Sequence, residues 1–105
     1  MPQDFVKVAQ VNEIGPGQMK LVELGDERIL IVNLEGQIHA VDEICSHAYA
    51  PLSEGDLVGS EIECPLHGSS FEVTTGEPMS PPADEKLTVY PVRVEGNDIL
   101  VGPPS

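Results

Sequence analysis

Thiol and imidazole groups are scarce in this chain of 105 residues. It has two cysteines and three histidines, and both cysteines and two of the histidines lie within residues 45–71. The stretch reads Cys45-Ser46-His47, then sixteen residues, then Cys64-Pro65-Leu66-His67-Gly68-Ser69-Ser70-Phe71. Each half offers one sulfur and one ring nitrogen at short spacing. Thiolate and neutral imidazole are good ligands for iron and zinc. Two hairpin-like loops, each bringing one Cys and one His, would make a mixed four-ligand site.

Three chemistries compete for this constellation. The first is structural zinc, but zinc motifs usually keep the two cysteines together and the two histidines together. Here the ligands interleave as C-x-H and C-x-x-H, which suits zinc poorly. The second is a disulfide or a pair of buried thiols, with histidines nearby by chance. The third is a Rieske [2Fe-2S] centre, in which two histidines replace two cysteines on one of the two irons. A binuclear cluster explains the interleaving, because each loop then gives its Cys to one iron and its His to the other.

C-x-H, sixteen residues, C-x-x-H and a following Gly-Ser resemble the Rieske iron–sulfur family. The short length resembles the Rieske-type ferredoxins of bacterial aromatic-ring-hydroxylating dioxygenase systems. The resemblance runs from the first strands to the C-terminal hairpin, and the four ligand positions are its specific part. It implies one [2Fe-2S] cluster per chain, with Cys45 and Cys64 on one iron and His47 and His67 on the other. The respiratory and photosynthetic members carry an extra cysteine in each loop, joined as a disulfide. The matching positions here are Ala50 and Leu66, so that bridge is absent. In high-potential members a serine and a tyrosine donate hydrogen bonds to cluster sulfur. The serine position is kept as Ser69, a cofactor-binding residue by this resemblance, and the tyrosine position is Phe71. Donors to sulfur raise the potential, so the low half of the family's range, about −150 to +300 mV, is expected.

Strands must position these loops. Residues 5–10 read as a first strand and 11–17 as a loop rich in Gly, Pro and Asn. A strand over 19–24, a turn at Gly25-Asp26 and a β-branched central strand over 28–34 follow. Glu35-Gly36 makes a tight hairpin, and 37–41 alternates like a half-buried strand feeding Cys45. These strands are expected to form a meander. Residues 44–59 look irregular. Short strands over 61–63 and 70–73 enter and leave the second loop, and 74–76 turns. Residues 77–84 hold Pro78, Pro81 and Pro82 and read as a stiff loop. By resemblance, Pro81 and Pro82 cover the cluster. One strand over 87–95 pairs with 98–101 across Gly96-Asn97. His39 reads as an ordinary strand histidine. The expected fold is all-β: a Rieske fold, an antiparallel sandwich or partly open barrel, with a small cluster-binding β subdomain (about 44–72) inserted into a single domain over 1–105.

Composition narrows the function. A chain of this length buries roughly two-thirds of its unfolded surface, enough for a modest core without staples. With both cysteines in the motif there is no disulfide framework, which fits a reducing compartment. No leader pattern and no apolar run of about 18 residues are visible, so a soluble cytoplasmic protein away from membranes is expected. Eighteen Asp and Glu against five Lys and Arg give a formal charge of −13. Nucleic acid and anionic membranes are therefore unsuitable partners. The acidity either keeps the protein soluble or steers it to basic patches on redox partners.

A cluster with four protein ligands has no open position for substrate. Phosphate-binding, dinucleotide and nucleophile-elbow motifs are missing. Ser69 and Ser70 beside His67 suggest a Ser–His pair, but a metal-bound imidazole is not a free base. One-electron transfer remains. The resemblance implies a monomeric carrier, not itself an enzyme, within aromatic hydrocarbon catabolism. It would pass electrons from a flavin-containing reductase to a Rieske non-haem iron terminal oxygenase. His47 and His67 would be the electron-exit edge, with Tyr49, Leu66 and Pro81 as an apolar rim. Two alternatives are the small Rieske-like subunit of an assimilatory nitrite reductase and a zinc-stabilised interaction module.

Overall fold

Ile29-Leu30-Ile31-Val32 is a run of four large aliphatic residues, all with no exposed surface in the computed structural model. A strand that is apolar at consecutive positions must bury both its faces. The structure describes residues 5–24, 27–43, 51–65, 70–79 and 86–102. The run lies in β3 (Glu27–Leu34), whose neighbours are β2 (Met19–Leu24) and β4 (Gln37–Asp42). The pairing is antiparallel, with Val22 opposite Ile29 and Ile31 opposite Ala40. Glu35 and Gly36 close the β3–β4 hairpin with φ of 53° and 98°. Positive φ at both central residues matches the right-handed twist of the strands.

A layer packs on each face of this sheet. On one face, Ile29, Ile31 and Ala40 meet Ala9, Ile14, Ile99 and Val101. These come from a three-stranded sheet of β1 (Val6–Gln10), β10 (Asp98–Val101) and β9 (Val92–Glu95), or from the loop after β1. On the other face, Leu30, Val32 and Val41 meet Leu52, Ile62, Cys64, Phe71 and Val73. These belong to a small antiparallel sheet of β5 (Asp56–Val58), β6 (Glu61–Glu63) and β7 (Ser70–Glu72), or to its flanks. The sheets are open and antiparallel, as the all-β expectation required.

Four local expectations need correction. Residues 5–24 do not start one meander, because β1 pairs with β10, the last strand, and a 3-10 turn at Val11–Glu13 breaks the loop after it. The Val11 amide donates to the Asn97 carbonyl at 2.8 Å and fixes that crossing. Residues 56–58 are not irregular: they form β5, with Leu57 opposite Ile62. Residues 87–95 are not one strand. Tyr90 ends β8 (Val89–Tyr90) beside β4, and β9 begins at Val92 in a different sheet. Pro91 lies between them and has no amide to continue a ladder. Finally, β4 is not half-buried by alternation, since Ala40 and Val41 are both fully covered from opposite sides. The turn expected at Gly25-Asp26 lies outside the described residues.

Candidate metal centre

Cys64 follows β6, and its thiol is buried and not in a disulfide. It packs with Ile62, Phe71 and Leu52 under the small sheet. Cys45, His47, His67 and Ser69 lie outside the described residues, as do Tyr49, Ala50, Leu66, Pro81 and Pro82. What the structure gives for them is the closure of the segments that carry them.

Residues 44–50 leave from Glu43 and return at Pro51. The Leu52 amide donates to the Glu43 carbonyl at 2.6 Å, and the Ser53 amide and hydroxyl donate to the Glu43 carboxylate at 3.0 and 2.7 Å. Residues 66–69 leave after Pro65 and return at Ser70, which stands opposite Glu63 in the β6–β7 register. Residues 80–85 leave after Met79, whose amide donates to the Ser70 carbonyl at 2.7 Å. Just beyond them, Thr88 makes two hydrogen bonds with Asp42: the Asp42 amide donates to the Thr88 carbonyl at 3.0 Å, and the Thr88 amide donates to the Asp42 carboxylate (Oδ2) at 3.3 Å. Asp42 also accepts from the Tyr90 hydroxyl at 2.7 Å. Burial first, then the Asp42 carboxylate and that of Glu27 3.3 Å from the hydroxyl, push Tyr90 well above the usual phenol range, so it stays a donor.

The bases of the two ligand segments touch. Gly55, just after the first segment, has no room for a Cβ: one would run into the Glu63 carbonyl oxygen and stand 3.3 Å from Pro65 Cδ. Asp42-Glu43, Leu52 to Gly55, Glu63 to Pro65 and Ser70 therefore form one connected floor. Described residues at or near the ends of 44–50, 66–69 and 80–85 belong to this floor or bond to it.

Among the described residues no group of three or more His, Cys, Asp or Glu is arranged for a metal ion. His39 joins no such group. It stands opposite Val32, on the face turned to the small sheet, while Ile38 and Ala40 pack in the other core. Its Nε2 is buried with no hydrogen-bond partner among the described residues. Burial holds its pKa below the usual imidazole value, against the pull of the Glu72 carboxylate. That keeps the ring neutral at pH 7. A buried free thiol at the mouth of the second segment is the donor a soft metal site needs. The Cys and His donor types carried by the two ligand segments, one of each per segment, fit an iron–sulfur cluster.

One feature of the surface escapes a motif reading. Residues 29–85 contain eleven Asp and Glu and not one Lys or Arg. The small sheet sets acids opposite each other, Asp56 against Glu63 and Glu61 against Glu72. Like charges directly across a ladder are unfavourable. Positional counting along the chain, rather than the net charge, is the signal that reveals this.

Phe71, the position where a donor to sulfur is missing, has no exposed surface and shares its core with Cys64. Phe71→Tyr is expected to raise the reduction potential, and Ser69→Ala to lower it. Protein-film voltammetry checks both, and no shift in either variant would mean these side chains do not face cluster sulfur.

The Rieske [2Fe-2S] domain model matches residues 4–91 of this chain. The chain is similar to the biphenyl dioxygenase ferredoxin subunit of Pseudomonas sp. (strain KKS102), at 42% identity over 92% of this chain and 90% of that one. The solved ferredoxin of carbazole 1,9a-dioxygenase from Nocardioides aromaticivorans IC177 superposes with a TM-score of 0.90. It is 36% identical over 94% of this chain and 97% of that one. A chain in the complex of reduced oxygenase and oxidised ferredoxin of carbazole 1,9a-dioxygenase also gives 0.90, at 35% identity, covering 96% and 94%. Chains described as nitrite reductase small subunits share the fold at 23% identity, which speaks to fold alone.

Proposed function

This chain belongs to the Rieske [2Fe-2S] domain family, and from that premise we propose that it is the ferredoxin component of an aromatic-ring dioxygenase system. It is a one-electron carrier rather than an enzyme, and it holds one [2Fe-2S] cluster. The observation that carries this reading is the full-length likeness to dioxygenase ferredoxins. When bound, the cluster supplies storage of a single electron. Cys45, His47, Cys64 and His67 are the ligands we assign, with Ser69 near the sulfurs. The interleaved spacing supports that assignment, and so do the buried Cys64 thiol and the shared floor of the three segments. We assign the whole chain to a single Rieske domain, with residues 44–72 as the cluster-binding part.

The terminal oxygenase is the electron acceptor, by analogy with the carbazole complex. The donor is a flavin-containing reductase, and the carrier works as a monomer in the cytoplasm. Among the described residues no helix is long and apolar enough to cross a membrane. A nitrite reductase subunit has only the shared fold in its favour. Freshly purified protein should hold two irons and two acid-labile sulfides per chain and give a rhombic paramagnetic signal on reduction. One zinc per chain and no sulfide would overturn the reading.

The acid-only stretch predicts how the carrier meets its partners. A chain this rich in acids, with none of its cations between residues 29 and 85, produces a field that reaches beyond contact and speeds encounter with a basic surface. Screening at about 0.15 M salt cuts that reach to roughly 8 Å. Electron transfer from the reductase to this protein is therefore expected to slow as ionic strength rises, in stopped-flow traces under pseudo-first-order conditions. A rate indifferent to salt would leave the acidity a solubility role only.

A further inference from the structure

Glu43 is a carboxylate at 1% exposure, placed between β4 and the segment that carries Cys45 and His47. Both its oxygens are taken by one residue beyond that segment: Oε1 accepts from the Ser53 amide at 3.0 Å and Oε2 from the Ser53 hydroxyl at 2.7 Å. Its own amide donates to the Arg28 carbonyl at 3.1 Å, and its carbonyl accepts from the Leu52 amide at 2.6 Å. Among the described residues no cation pairs with it. Burying a carboxylate without a cation is costly. Closing the same gap with an apolar pair would cost less. What an apolar pair lacks is direction: two bonds from one carboxylate to one residue fix orientation as well as distance.

We propose that Glu43 is a positioning residue for the cluster, and that its clasp on Ser53 sets where the 44–50 segment holds Cys45 and His47. This rests on the ligand assignment above. Residues that orient metal ligands typically change metal affinity by about 10–100-fold when removed.

The test compares Glu43→Ala, Glu43→Gln and Ser53→Ala, each as full-length holoprotein. Ile99→Val is the control, in the core on the far side of the central sheet. The readouts are the rate of bleaching by an iron chelator and the g-values of the reduced protein. Glu43→Ala should bleach roughly tenfold faster or more, with shifted g-values. Glu43→Gln keeps an oxygen for the Ser53 amide and should return both readouts close to wild type. Ser53→Ala, which loses only the hydroxyl bond, should fall between them. Ile99→Val should lower the unfolding temperature without changing the bleaching rate. If Glu43→Ala does not fold, the order of Ser53→Ala and Glu43→Gln decides. Wild-type bleaching in Glu43→Ala, or equal acceleration in Ile99→Val, overturns the proposal. Cys45→Ala separates the two layers. A cluster retained there overturns the ligand assignment, whereas a bleached Cys45→Ala beside an unaffected Glu43→Ala overturns the clasp alone.

Discussion

Cys64→Ala protein is expected to purify colourless, without acid-labile sulfide and with a lower unfolding temperature than the wild type. Two causes could lower that temperature, and they can be told apart. Cys64 sits at 3% exposure among Ile62, Phe71 and Leu52, so truncation removes packing as well as a ligand. Losing one buried sulfur costs on the order of 1 kcal/mol in packing. Metal binding, by contrast, adds its free energy to folding, because the unfolded chain has no preformed site. The comparison that separates them uses wild-type protein stripped of iron. If the ligand role dominates, apo wild type and Cys64→Ala should unfold within about 1 kcal/mol of each other, both far below the holoprotein. A red-brown Cys64→Ala protein with iron still bound would remove Cys64 from the ligand set.

Much of this architecture is local and therefore legible in the residues. The unbroken aliphatic run at Ile29 to Val32 and the Glu35-Gly36 turn mark the central hairpin by local signals alone. The edges of β6 and β7 follow from Ile62 and Phe71 flanked by acids and serines. What was hidden is what depends on distant partners. Nothing near Val6 says that it will stand opposite Val101 rather than beside Met19. Asp56 to Val58 is a strand only because Ile62 turns back across Gly59 and Ser60 to cover Leu57. Residues 87–95 read as one strand across Pro91, and nothing local says that the chain changes sheets there. The same holds at the site. The donor types and spacing of Cys45, His47, Cys64 and His67 are readable because chemistry limits what such a set can bind. The clasp of Glu43 on Ser53 spans ten residues, and a Glu next to an Asp reads only as surface charge until burial is known.

The return of the proline-containing stretch should be equally sensitive to one added methyl group. Gly76 follows β7 with φ of +80°. Its amide donates to the Glu72 carbonyl at 2.6 Å, and its carbonyl accepts from the Leu87 amide at 2.8 Å, where the chain comes back from residues 80–85. A Cβ here would run into the Leu87 carbonyl oxygen and stand 3.0 Å from Val89 Cγ2. Left-handed backbone costs a non-glycine residue about 1–2 kcal/mol, and forcing atoms into filled space about 1–3 kcal/mol more. Gly76→Ala should therefore lose roughly 2–5 kcal/mol, a large share of the about 5–15 kcal/mol typical of a domain. Gly96→Ala is the matched control. Gly96 has φ of +62° but nothing within 4 Å of its would-be Cβ, so it carries the backbone cost alone. Urea unfolding of both variants isolates the clash as their difference. Leu87 lies in the same core as Cys64 and Phe71. Displacing it should also speed bleaching of the holoprotein by an iron chelator in Gly76→Ala and not in Gly96→Ala. Equal losses in the two variants would mean that Leu87 yields freely, and that the stretch it ends is not held from this side.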